Sequence, residues 1–160
     1  MITFLEEANR IKDELITIRR DLHEHPELGF EEKRTSEKIK EFLTKEGIPY
    51  VEVAKTGVCG IIKGEKKDNN RVIGLRADMD ALPIEEENNI PYKSIHSGKM
   101  HACGHDAHTT MLLGACKVLH SIKDKLNVNV KFLFQPAEEG FGGAKFLVED
   151  GCLENPKADY

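Results

Sequence analysis

The sequence has no run approaching the ~20 consecutive apolar residues of a membrane-spanning helix, which argues against a helical membrane protein. It has no excess of positive charge: 23 Lys and Arg stand against 28 Asp and Glu, a formal net charge of -5. Extended contact with nucleic-acid phosphates is therefore not expected. It lacks any CxxC pair, since its cysteines stand far apart at Cys59, Cys103, Cys116 and Cys152. The first twenty residues are amphipathic and acidic, with no apolar core or cleavage site of a secretory signal. Reduced thiols in the cytoplasm follow as the expectation. There is no internal repeat, low-complexity tract or linker. What remains is an ordinary globular composition, 39% hydrophobic and 32% charged over 160 residues, suited to one domain.

Apolar residues at Phe4, Ala8, Ile11, Leu15, Ile18 and Leu22 follow helical spacing and predict one helix over residues 3–24, ended near Pro26. A second helix is expected over 32–45, stopped by Gly47. Short β runs follow at 50–53, 58–62 and 72–76, the last two separated by a polar hairpin at 64–70. Residues 85–100 read as irregular. A helix over 106–121, a near-continuous apolar strand over 128–134 and a helix over 142–150 complete the pattern. The final stretch, Pro156-Lys157-Ala158-Asp159-Tyr160, reads as the lead-in to another strand. Alternating helices and buried strands predict an α/β layer fold.

The chemistry concentrates in two knots. Met100-His101-Ala102-Cys103-Gly104-His105-Asp106-Ala107-His108 places three histidines, a cysteine and an aspartate within residues 101–108. Gln135-Pro136-Ala137-Glu138-Glu139-Gly140 follows the last apolar strand. Imidazole, thiolate and carboxylate are the ligand set of a zinc-like transition metal. A carboxylate beside such an ion that is not itself a ligand can deprotonate its water. Adjacent acids on extended backbone point in different directions, which suits Glu138 and Glu139 to different tasks, one ligand and one base. Asp78 and Asp80 follow the strand at 72–76. All these groups fall at strand or helix ends, where open α/β sheets build sites.

Each motif also has a plainer reading. Asp78 and Asp80 are equally suited to capping a turn, and an isolated Glu138-Glu139 pair is more often solvated surface. Cys59, Cys116 and Cys152 sit among apolar residues and read as small buried hydrophobes. His23, His25, His96 and His120 read as surface or capping residues, with the alternative that His23 and His25 order a loop near the cleft. Four metal-binding side chains in one short segment resist such a reading.

Four motifs together resemble the metal-dependent amidohydrolases that include N-acyl-amino-acid amidohydrolases, hippurate hydrolases, auxin-conjugate hydrolases and N-acetyldiaminopimelate deacetylases. They are Arg19-Arg20-Asp21-Leu22-His23-Glu24-His25-Pro26-Glu27-Leu28-Gly29-Phe30, Arg76-Ala77-Asp78-Met79-Asp80-Ala81-Leu82-Pro83-Ile84, the segment 100–108, and Phe134 through Gly140. The resemblance implies a three-layer, zinc-peptidase-like catalytic domain on a mostly parallel mixed sheet. It implies two divalent metals, manganese, zinc, cobalt or nickel, and a small N-acyl amino acid as substrate. Carried onto this chain, it makes Cys103, His105 and Glu139 metal ligands and Glu138 the general base. Asp78 or Asp80 would support that base, and His101, Asp106 and His108 would stand behind the ligands. The resemblance also implies a lid and dimerisation domain and further histidine ligands, none of which these 160 residues contain. Residues 1–160 are therefore expected to be the N-terminal part of the catalytic domain, truncated before the lid.

Two functions compete. The first is amide hydrolysis of N-acyl amino acids. The second is a non-catalytic metal-binding fragment or subunit, pairing with a full-length subunit or a separately encoded remainder along an exposed sheet edge. A small structural metal module fits less well, because closed structural sites use four Cys or His ligands.

Overall fold

The computed structural model describes residues 4–66 and 71–160. Its elements in chain order are α1 (Phe4–Arg10), α2 (Lys12–Glu24), α3 (Lys33–Lys45), β1 (Tyr50–Val53), β2 (Gly57–Ile62), β3 (Val72–Asp78), α4 (His105–Ser121), β4 (Asn129–Gln135) and α5 (Gly143–Glu149), with a 3₁₀ turn at Lys123–Lys125. The four strands form one sheet in the order β1-β2-β4-β3.

The sheet is mixed, as expected, but only β3 and β4 run parallel; β1–β2 and β2–β4 are antiparallel. The reason is the path of the chain. After β3 it crosses through α4 and returns as β4 parallel to β3. Because β2 and β3 run in opposite senses, β4 lies antiparallel to β2. The segment 64–70 is accordingly no β-hairpin between paired strands, since β4 separates β2 from β3; its residues 67–70 lie outside the described residues.

β4 is buried on both faces. Val130, Phe132 and Phe134 join the main core with Ile39, Phe42 and Leu43 of α3, Leu112, Leu113 and Cys116 of α4, and Val58, Ile62 and Ala77 of the sheet. Leu133 points the other way, into a smaller cluster with Ala54, Cys59, Leu147 of α5 and Cys152. Helix layer, sheet and α5 make the expected three layers. The continuous apolar character of 130–134 thus reflects two covered faces.

The helix expected over 3–24 is two pieces, broken at Ile11 (φ −100°, ψ 2°); Met1, Ile2 and Thr3 lie outside the described residues. α1 buries no residue, so no packed face holds it collinear with α2. α3 ends as expected: Gly47 takes φ 69°, and the N–H groups of Gly47 and Ile48 return to Thr44 and Leu43. Residues 159–160 lie along the outer edge of β3, with Asp159 N–H donating to Val72 O and Gly74 N–H to Tyr160 O. This agrees with a lead-in to another strand. Among the described residues, no helix is long and apolar enough to cross a membrane.

Candidate metal centre

The parallel register aligns Asp78 with Gln135, so the two strands end side by side. The segments that leave them, Asp78-Met79-Asp80 and Pro136-Ala137-Glu138-Glu139, therefore emerge together. α4 starts at the same end, with Gly104 in the left-handed region (φ 85°) turning the chain so that His105 opens the helix. This is the crevice outside the carboxyl ends of parallel strands where open α/β sheets bind ligands.

There the ligand atoms of Cys103, His105 and Glu139 lie within 4.8 Å of one another. His105 is buried, Glu139 half-buried and Cys103 exposed. His105 is fixed through its Nδ1, which lies 2.9 Å from the backbone oxygen of Asp80. Its Nε2 faces Asp78 Oδ1 at 3.5 Å and Glu139 Oε1 at 3.9 Å. Anchoring one ring nitrogen on a carbonyl while the other faces acidic oxygens is how proteins orient a histidine ligand. A second trio, Asp78, His105 and His108, also converges within 4.8 Å. His108 Nδ1 lies 2.7 Å from Asp78 Oδ1, and its ring stacks on His105 at 5.6 Å.

Asp80 has a different place. It is buried (1% exposed), and its two oxygens accept the N–H groups of Glu138 at 3.0 Å and Glu139 at 2.9 Å. Burial alone would raise its pKa, but the His105 imidazole and these two N–H groups outweigh it and hold the carboxyl below its usual range. The preceding amide, Ala137 N–H, donates to Glu32 Oε1 at 2.8 Å. Three consecutive backbone donors are thus held by two buried carboxylates. They stabilise a turn in which Ala137 takes φ 51°, a conformation that is costly for a residue with a Cβ. Glu32 also accepts the Thr56 hydroxyl at 2.6 Å.

The local electrostatics favour a cation. A hydrogen bond to Glu139, then slight desolvation, then the charges of Glu139, Glu138 and Asp78 push the Cys103 thiol above its ordinary pKa. Burial acts to lower the pKa of His105, but the Asp80 hydrogen bond and the charges of Asp78 and Asp80 raise it overall. Carboxylates crowding a thiol and an imidazole form a site whose repulsion a dication would relieve. The donor set, its spacing and the anchored imidazole fit a transition-metal ion.

Among the other residues singled out in the sequence, Asp106 and His101 lie outside the two converging trios. Asp106 is buried, its carboxylate paired with Arg19 Nε at 2.9 Å and His23 Nδ1 at 2.7 Å. His101 is buried beside His23, with ring centroids 6.4 Å apart and neither nitrogen hydrogen-bonded within the protein; burial pulls its pKa down to about 4. His23 is not a surface residue. It is 4% exposed, and its Nε2 lies 3.1 Å from Glu86 Oε1. Glu86 in turn accepts the Ser94 N–H at 2.7 Å and an Asn88 Nδ2 hydrogen at 3.1 Å. His23 therefore orders the 85–100 loop that leads into the histidine-rich segment. His25 is half-buried, its Nδ1 2.8 Å from Asp21 O and its ring against His96. Glu32 and Glu86 are the acids that motif reading passes over. Glu86 lies in the run Glu85-Glu86-Glu87, which looks like solvated surface. Glu32 carries no signal beyond following Gly29-Phe30.

Comparison with known proteins agrees with this geometry. The model of peptidase family M20/M25/M40 matches residues 74–160. A hippurate hydrolase of Campylobacter jejuni is 47% identical over 160 residues, covering 99% of this chain and 41% of its own length. An IAA-amino acid hydrolase of Arabidopsis thaliana is 53% identical over 149 residues, covering 92% of this chain and 34% of its own. The crystal structure of a Bacillus subtilis dinuclear metal-binding peptidase of the M20 family superposes with a TM-score of 0.85 at 46% identity, over 91% of this chain and 41% of that one. The chain thus spans about two fifths or less of the length of these relatives.

Proposed function

The chain belongs to peptidase family M20/M25/M40, and from that premise we propose that it forms part of a metal-dependent hydrolase acting on the amide bond of small N-acyl amino acids. The observation that carries this reading is the convergence of Cys103, His105 and Glu139 within 4.8 Å, with the backbone N–H of the neighbouring Glu138 held by Asp80. Residues 1–160 would be the N-terminal part of the catalytic domain.

In this reading Cys103, His105 and Glu139 hold a divalent metal: manganese, zinc, cobalt or nickel, one of a pair in the whole site. Such a metal supplies a Lewis acid for the amide carbonyl and makes water acidic enough to attack near neutral pH. Glu138 accepts the proton of the attacking water and delivers it to the leaving amine nitrogen. Asp80 fixes the backbone of both glutamates, so that the ligand carboxylate and the base carboxylate diverge from one rigid turn. It also backs His105 through its carbonyl. Asp78 holds His108 and faces the unanchored edge of His105. The relatives named above as hydrolases of hippurate and of an amino-acid conjugate support an N-acyl amino acid substrate. Free thiols at all four cysteines suit a cytoplasmic setting.

A second reading, metal binding without turnover, draws on one observation: the two converging trios share His105, so they do not supply separate sets of three protein ligands for two ions. One experiment separates the two. Metal stoichiometry and hydrolysis of N-acetyl-methionine are measured together, with manganese and with zinc, on the wild type and Glu138→Gln. Turnover lost in Glu138→Gln with metal retained supports hydrolysis. Metal retained without turnover in either protein supports the second reading. Failure to bind metal at all removes the premise of both.

A further inference from the structure

On the sheet face opposite the main core, Cys59 of β2 and Cys152 in the turn after α5 are 6% and 5% exposed. They pack in one small cluster with Ala54, Leu133 and Leu147. Each thiol bears on the pKa of the other, Cys152 lowering that of Cys59 and Cys59 raising that of Cys152. Both line a cleft of about 390 Å³ that also contains Lys131 and Asp150. The Lys131 ammonium is held there by the carbonyls of Glu154 and Pro156, each at 2.7 Å. None of these residues belongs to the candidate metal centre.

We infer that Cys59 and Cys152 are a peroxide-oxidisable pair, joined by oxidation into a disulfide that ties β2 to the end of α5. Two cysteines packed in one five-residue cluster and lining one cleft are placed for the short side-chain approach that a disulfide requires. Burial holds both sulfurs above the usual thiol range, Cys152 at about 12. At Cys59 burial is opposed by the Cys152 thiol and by the Lys131 charge, so Cys59 is the sulfur that ionises first. Its thiolate attacks one peroxide oxygen. The O–O bond breaks, hydroxide leaves and takes up a proton, and Cys59 becomes a sulfenic acid. The Cys152 sulfur then attacks that sulfur, the S–O bond breaks, and the hydroxyl leaves as water with the Cys152 proton. Two thiols and one peroxide give one disulfide and two waters. The closed loop spans more than half of the chain. It would restrict α5, which starts directly after the turn carrying Glu138 and Glu139.

The test treats the folded wild type with hydrogen peroxide and, separately, with oxidised glutathione. Remaining thiols are then alkylated in denaturant and mapped without reduction. The expected result with peroxide is a Cys59–Cys152 linked peptide, reversed by reductant, with Cys116 alkylated and a higher melting temperature. Oxidised glutathione should modify the exposed Cys103 alone. Recovery of both Cys59 and Cys152 as alkylated thiols after peroxide has consumed Cys103 would overturn the inference. So would linkage of either one to Cys103 or Cys116. The peroxide-induced rise in melting temperature should vanish in both Cys59→Ala and Cys152→Ala; its survival in either would also overturn it.

Discussion

Asp80 and Glu139 are joined through the backbone rather than through their charges: Oδ2 of Asp80 accepts the Glu139 N–H at 2.9 Å, while its Oδ1 accepts the Glu138 N–H at 3.0 Å. An asparagine at position 80 keeps one acceptor oxygen and turns an NH₂ group toward the other amide, donor against donor. Asp80→Asn is therefore expected to cost about 1–3 kcal/mol in folding stability. It should also weaken zinc binding about 10–100-fold, through loss of support to the Glu139 and His105 side chains. Urea unfolding and calorimetric zinc titration check the two effects. An Asp80→Asn protein with wild-type stability and affinity would show that the turn holds itself.

Glu32 tests the same turn from its other end. The side chain is fully buried, and burial raises its pKa above the ordinary 4.5, against the opposing hydrogen bonds from Thr56 and the backbone. The folded protein therefore binds the Glu32 proton more tightly than the unfolded chain does. The resulting stabilisation is complete below about pH 4.5 and declines as pH rises through the folded-state pKa. Glutamine keeps an oxygen for Ala137 N–H and offers an NH₂ to the Thr56 hydroxyl, without the titration. Glu32→Gln should thus lose less stability than the wild type between acid and neutral pH. Glu32→Ala, which orphans the Ala137 N–H, should cost about 2 kcal/mol or more throughout. Parallel pH–stability profiles for wild type and Glu32→Gln would count against the assignment.

Glu32 marks where the sequence stops being readable. The candidate metal group around Cys103, His105 and Glu139 is legible because metal chemistry requires particular residue types at short spacing. The strand at 129–135 is legible because a strand buried on both faces carries a near-continuous apolar run, broken between Val130 and Phe134 by Lys131 alone. Strand order is not, since the insertion of β4 between β2 and β3 depends on a crossover that no local pattern encodes. Glu32 and Glu86 are hidden for a related reason. Their partners lie 105 and 63 positions away, at Ala137 and His23, and an acid bound to a distant donor has the same sequence signature as an acid in water. His23 is misread as surface on the same ground. The break at Ile11 escapes periodicity because the apolar spacing continues across it, although α1 buries nothing.

Gly143 is fixed by space rather than by conformation. A Cβ built there would lie 1.7 Å from the carbonyl oxygen of Pro136, a backbone atom that cannot rotate away. Gly143→Ala must push α5 off the turn that carries Glu138 and Glu139. We expect a loss of at least about 3 kcal/mol, at the upper end of overpacking costs, measured by urea unfolding. Gly98→Ala is the informative control. Its Cβ meets nothing within 4 Å, but its φ of 73° disfavours a side chain, so its cost should stay near 1 kcal/mol. Equal costs at the two positions would mean that the close approach at Gly143 relaxes freely.

Glu86 predicts a local effect rather than a global one. Its buried carboxylate gathers Ser94 N–H, Asn88 Nδ2 and His23 Nε2, so the 85–100 loop, which has no helix or strand of its own, is tied to α2 at this point. Its net hydrogen-bond benefit exceeds its desolvation cost, because the Ser94 N–H, His23 and Asn88 together lower the carboxyl pKa against the burial that would raise it. In Glu86→Ala the Ser94 N–H and His23 Nε2 lose their partner inside the protein, a penalty of about 2 kcal/mol or more confined to the loop. Hydrogen exchange should therefore speed up at Ser94 and its neighbours, by about 30-fold for 2 kcal/mol. Protection in β4 and α4, held by the main core, should be unchanged. If zinc affinity falls in parallel, the loop also sets the approach of the 100–105 segment to the metal centre. If the Ser94 amide keeps its protection, the loop is held by contacts other than Glu86, such as the Tyr92 ring packed 5.6 Å from His23.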